Sequence, residues 1–193
     1  PHCEAQDRLA KGDIRLPGMQ VSGQMLLPTQ WSLQPAGKQL AVGDFPVTIA
    51  MHPKTQFAAL LHAGYGEHEV VVVDLKDMRI ISRVSVPETF VGLCFNSTGE
   101  RLFASGAGQE VVHQFHFKDG YLSEHRELKI VDIKERQVPA GLAVSHDDKT
   151  LYAACPWGNS ICIIPLDAPE QKRLVNLEAD SYPYFALPEQ SGK

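Results

Sequence analysis

Apolar positions in this chain come in short runs, and turn residues cut them at regular intervals. FAALLH (57–62), EVVVVD (69–74) and RIISRVSV (79–86) are separated by AGYGEH and by LKDM. No stretch of a dozen residues carries an i, i+3, i+4 apolar pattern free of Gly and Pro, so helix signals are weak. The layout then repeats. Openings FPVTIAMH (45–52), TFVGLCFN (89–96) and VPAGLAVS (138–145) each set an apolar residue (Ile49, Leu93, Leu142) before a small one (Ala50, Cys94, Ala143), and their starts lie 44 and 49 residues apart. A turn follows each opening (PKTQ, STGE, HDDK), then FAALLH, RLFASG or LYAAC. A loop comes next (AGYGEHE, GAGQE, PWGNS), then VVVVDL, VVHQFHF or ICIIPL, then an outer run.

Four short strands in roughly 45 residues is the period of a β-propeller blade. Small residues in the first strand suit a crowded hub, and β-branched runs in the third suit a sheet covered on both faces. The expected fold is therefore all-β, a partial propeller over 25–193 after an irregular segment 1–24. Its blades are about 45–86, 89–131 and 138–178, and 182–193 begins another. QLAVGD (39–44) is expected to supply an outer closing strand, and a strand pair is expected around PAG (35–37). Three blades cannot close a ring, since propellers need about four to eight. The expectation is a larger ring of about seven blades, completed by further chain or by other chains. Residues 1–24 contain no charged-then-apolar leader, and Pro1 is not an initiator Met, so upstream processing or truncation is expected.

Composition narrows the function classes. The 193 residues are 44% hydrophobic and 21% charged, with net charge −5. Mild acidity argues against a nucleic-acid partner, which calls for a basic stripe. No apolar run approaches the roughly 20 residues of a membrane-spanning helix. The four cysteines show no CxxC, no CxxCH haem attachment and no metal-ligand spacing. Cys94, Cys155 and Cys162 read as buried thiols, with a Cys155–Cys162 bridge as the alternative.

The tract DDKTLYAACPWGNSICIIPL resembles the YVTN-type (YncE-like) β-propeller repeat, in which a turn leads to LYA and then to N-S-I-x-I-I. AALLHAGYGEHEVVVVDL and STGERLFASG resemble the propeller part of bacterial proteins that join such a propeller to an alkaline-phosphatase-type phosphoesterase. The resemblance covers about 25–188. It implies a periplasmic or secreted propeller module whose partners are the rest of the ring and a C-terminal phosphoesterase domain, or other protein chains. The middle repeat departs from the pattern, with SGAGQEVVHQF lacking the Asn before the third strand. No segment resembles the phosphoesterase half.

Propeller geometry sends the strand two–three loops and the interblade links to one face. That face gathers His62, Tyr65, Glu67 and His68, then Gln109 and Glu110, then Pro156, Trp157 and Asn159, with Asp44, Thr89, Arg136 and Asp180 from the links. The expected ligand-binding set is His62, Tyr65, His68, Arg136, Trp157 and Asn159. His62, His68 and Glu67 are the metal candidates, since imidazole and carboxylate ligate cations, although HxxxxxH is no metal motif. No catalytic residue and no resident cofactor is expected; a channel metal ion is the alternative. His113 and His116, three apart in one strand, face opposite sides of the sheet. Ser145-His146-Asp147 cannot form a relay, being consecutive turn residues. The leading reading is a non-catalytic binding or scaffold module. Two others stay open: a lactonase or metal-dependent hydrolase drawing on Asp44, His62, Asn159 and Asp180, and an accessory propeller of a periplasmic redox assembly.

Overall fold

The computed structural model describes residues 16–34 and 36–187. The chain divides into two compact units, 1–39 and 40–193. In the first, β1 (Gly18–Met19), β2 (Met25–Leu26) and β3 (Ser32–Leu33) form a small antiparallel sheet in that order. The hairpin expected around PAG falls earlier: β2 and β3 reverse at 27–31, where Leu27 N–H donates to the Trp31 carbonyl. Residue 35 and the ends 1–15 and 188–193 lie outside the described residues, as do the parts of the expected N-terminal segment and fourth opening that fall there.

The second unit holds three four-stranded antiparallel sheets. Each follows chain order from inner to outer strand. The first is β4 (Pro46–Met51), β5 (Phe57–His62), β6 (Glu69–Asp74) and β7 (Arg79–Ser85). The second is β8 (Leu93–Phe95), β9 (Arg101–Ser105), β10 (Val111–Lys118) and β11 (Tyr121–Lys129). The third is β12 (Leu142–Val144), β13 (Thr150–Cys155), β14 (Ser160–Pro165) and β15 (Arg173–Asn176). These are the blades read from the repeat, and the fold is that of a β-propeller. Ile49, Leu93 and Leu142 take equivalent register positions, opposite Leu60, Ala104 and Ala153.

Between blades the packing is apolar. Leu61 and Val70 of blade one join Leu93, Leu102, Ala104 and Phe115 of blade two in one buried cluster. Phe103, Val112 and Leu128 join Leu142, Leu151, Cys162 and Ile164 in another. Leu93 and Leu142 are therefore 8% and 7% exposed, whereas Ile49, on the unpaired side of blade one, is 56% exposed. QLAVGD does not form the expected outer strand. Leu40 and Val42 instead lie against Ala58, Val71 and Val73 of blade one in a segment outside any sheet.

At the hub, consecutive blades approach within backbone contact. Thr48 Oγ1 donates to the Val91 carbonyl at 2.7 Å. The equivalent Gly141 N–H donates to the Tyr184 carbonyl at 2.9 Å. A Cβ on the intervening equivalent, Gly92, would sit 2.0 Å from the Ala140 carbonyl oxygen. Only glycine fits there.

Two outer strands carry β-bulges. In blade one the register slips between Val72 and Val73, and in blade two between Gln114 and His116. Cys155 pairs in register with Ser160, and Cys162 with Ala153; both are buried free thiols, so no bridge joins them. Burial pushes the Cys155 thiol up to about 12 and Cys162 to about 11.

Candidate functional site

The residue just before each third strand sits where the chain turns back from strand two. Those residues are His68, Glu110 and Asn159. All three accept a backbone N–H from the link that enters the next blade. His68 Nδ1 accepts from Thr89 N–H at 2.8 Å. The Glu110 carboxylate accepts from Val138 N–H at 3.1 and 3.0 Å. Asn159 Oδ1 accepts from Tyr182 N–H at 3.0 Å. Their backbones repeat one another too: the carbonyls of His68, Glu110 and Asn159 accept from Val86, Ile130 and Leu177. An imidazole, a carboxylate and an amide thus do one job, because the job needs only an acceptor aimed at an otherwise unpaired N–H. Burial raises the Glu110 pKa, against the pull of its backbone donors.

His62 ends β5 and lies directly opposite Glu69 in the sheet. The sequence counts it among the ligand-face residues; the structure buries it completely. Its carbonyl accepts the Thr89 hydroxyl at 2.7 Å. Its ring nitrogens have no hydrogen-bond partner among the described residues. Glu69 pairs with Arg83, whose other terminal nitrogen donates to the Val42 carbonyl at 2.6 Å. Burial lowers the His62 pKa, Glu69 opposes that shift and Arg83 adds to it. Nearby, Asp44 Oδ2 accepts from Gly66 N–H at 2.9 Å.

The remaining candidates stand outward. Tyr65 is fully solvent-exposed and Trp157 is 66% exposed. Arg136 is exposed at the end of the short 3-10 turn Ile133–Glu135, with φ 49°. Glu67 accepts from the Ser85 hydroxyl. Among the described residues, His62, Glu67 and His68 do not bring three ligand atoms together. His113, His125 and Glu127 do, within 4.8 Å. Sequence reasoning missed that group because it paired His113 with His116. The signal was His125-x-Glu127 in the next strand, legible only once the register was known. Two hollows lie along the inner strands. One of about 260 Å³ is lined by Thr48, Leu93, Leu142 and Leu187, and one of about 340 Å³ by Met51, Phe95, Ser97 and His146.

No protein-family model and no curated protein sequence matches the chain. Solved structures do. Hydrazine synthase of Kuenenia stuttgartiensis superposes with a TM-score of 0.63 at 20% identity, over 83% of this chain and 44% of that one. A functionally unknown protein from Desulfotomaculum acetoxidans gives 0.63 at 19%, over 88% and 52%. Virginiamycin B lyase from Staphylococcus aureus, a β-propeller, gives 0.63 at 13%, over 86% and 53%. The chain spans about half the length of these structures, and at such identities the likeness is one of fold.

Proposed function

We propose that this chain is a non-catalytic β-propeller binding module of a bacterial extracytoplasmic protein, presenting the loops between second and third strands to a protein partner. One observation carries the reading. Polar groups on the face expected to take a ligand are used to hold the blades together: His68, Glu110 and Asn159 each grip the next link. What that face offers to solvent includes Tyr65 and Trp157 of these loops and Arg136 of the link that enters blade three. Tyrosine, tryptophan and arginine are the side chains that anchor protein interfaces most often. The YVTN-type resemblance names the partner to try first, a phosphoesterase domain or the rest of a larger ring, and alone supports the extracytoplasmic placement.

A photo-crosslinking residue at position 65, and separately at 157, tests this. Crosslinks to one protein partner from both positions, and none from position 119 in the opposite-edge turn, are expected. Crosslinks from position 119 alone would overturn it.

A metal-dependent hydrolase is the second reading. Its support is His62, a buried imidazole without a partner among the described residues, beside Asp44 and Glu69. Turnover of lactones or phosphoesters that is lost in His62→Ala would establish it over the first.

A further inference from the structure

We infer that His113, His125 and Glu127 form a binding site for a divalent transition-metal ion of the zinc class, on the face of blade two that is turned toward blade one. The β-bulge creates the constellation. From the turn upward β10 and β11 pair regularly, Lys118 with Tyr121, Phe117 with Leu122 and His116 with Ser123. Continued unchanged, that register would set Arg126 opposite His113 and turn His125 and Glu127 to the other face. Glu124 instead takes φ 49° and is left over, so Gln114 meets Arg126 and His113 meets Glu127. One extra residue therefore brings His125 and Glu127 onto the side of the sheet that His113 occupies. Bulges commonly re-aim side chains in this way.

The two imidazoles are held in a ligating pose. His113 Nε2 lies 3.3 Å from the Glu88 carbonyl oxygen, which only accepts. The proton therefore sits on Nε2, and Nδ1 presents its lone pair. Nδ1 lies 3.1 Å from His125 Nε2. Two nitrogens on one tetrahedral zinc stand about 3.3 Å apart, given bonds of about 2.0–2.1 Å. The His125 ring is fixed by stacking on Phe115, with centroids 4.7 Å apart and planes at 15°. A carbonyl that orients a ligating histidine through its second nitrogen is the usual outer support of a metal site. Glu127 brings a carboxylate oxygen within 4.8 Å of a ring nitrogen of each histidine. It is exposed, as is His125, so the carboxylate can close on an ion and water can take the fourth position. Two imidazoles and one carboxylate select zinc-class ions over magnesium or calcium, which take oxygen ligands. The bound ion would tie the outer strand to β10 and, through Glu88, to the link between the blades.

Titrating cobalt(II) into chelator-treated protein tests the site, since tetrahedral cobalt absorbs visibly and zinc displaces it. One saturable cobalt per chain is expected, lost in His125→Ala, weakened in Glu127→Gln and unchanged in His116→Ala, with circular dichroism the same in all four proteins. The exposed positions are chosen because His113 is fully buried and its replacement would threaten folding. Wild-type protein without saturable absorption would overturn the site. So would binding that persists in His125→Ala, is untouched by Glu127→Gln, or is lost in His116→Ala.

Discussion

The Glu110 carboxylate holds the Val138 N–H through both oxygens, at 3.1 and 3.0 Å, across the joint between blades two and three. Glu110 and Val138 are both buried. Removing the acceptor leaves a buried N–H unpaired, which costs about 1–3 kcal/mol. Glu110→Ala should lose about that much in urea unfolding, and Glu110→Gln, which keeps an acceptor oxygen, clearly less. Burial raises the Glu110 pKa above its ordinary 4.5, so the folded chain holds this proton to higher pH than the unfolded chain. Stability from this group is therefore greatest below 4.5 and declines as pH rises through the folded value. Glu110→Gln should lack that decline; an identical pH profile for the two proteins would contradict the assignment.

At the hub, Gly92→Ala should be severe. Its Cβ would lie 2.0 Å from the Ala140 carbonyl oxygen, and backbone on both sides must then separate. A loss of about 3 kcal/mol or more is expected, at or above the upper range for overpacking. Gly66→Ala is the control. Its nearest neighbour would be an Asp44 side-chain atom at 3.5 Å, and a change within about 0.5 kcal/mol is expected. Thermal unfolding of the two variants gives the comparison.

His62 should behave as a buried neutral imidazole. Its pKa is pushed below the ordinary 6.5, chiefly by burial, so unfolded chains take up this proton first as pH falls. The stability tied to the neutral form is complete above 6.5 and is lost as pH drops toward the folded value. His62→Leu removes two nitrogens that lack a partner among the described residues, and that pH dependence with them. The variant should be as stable as wild type or up to about 1–3 kcal/mol more stable at pH 7.5, and its advantage should widen on acidification. A variant that is less stable at every pH would show that His62 has a partner in solution.

Cys155 and Cys162, buried and with thiols near 12 and 11, should resist alkylation in the folded protein. Maleimide labelling followed by peptide mapping should find both modified only after denaturant is added. Labelling of either one in native protein would place it at the surface.

Much of the architecture is legible in the residues. The equivalence of Ile49, Leu93 and Leu142 follows from the spaced openings, because a repeated apolar–small pair needs a repeated place beside the hub. Their burial does not follow, since exposure depends on whether another sheet lies against the strand. QLAVGD reads as a strand from its place before the first blade opening, but a strand exists only where a neighbour offers paired N–H and C=O groups. His62 stands one residue before AGYGEHE and so reads as part of the ligand face; pairing with Pro46 and Glu69 keeps it within the sheet. The interblade grip leaves no pattern in the sequence because His68, Glu110 and Asn159 share no side-chain type, only the ability to accept a hydrogen bond. The His113 group escaped because a bulge changes which residues share a face, and Glu124 carries no local signal such as glycine to announce one.

The grip between blades has a direction. In each of the three, the acceptor belongs to the earlier blade and the donor to the entry of the later one, so the assembly has a head and a tail, like the links of a hooked chain. The side chain of the hook is interchangeable among histidine, glutamate and asparagine, while the eye is main chain and independent of sequence. A blade-length unit copied or inserted in tandem brings its own hook and finds an eye waiting in whatever follows. Arrays of this kind can change their number of units without any matched pair of side chains having to change together.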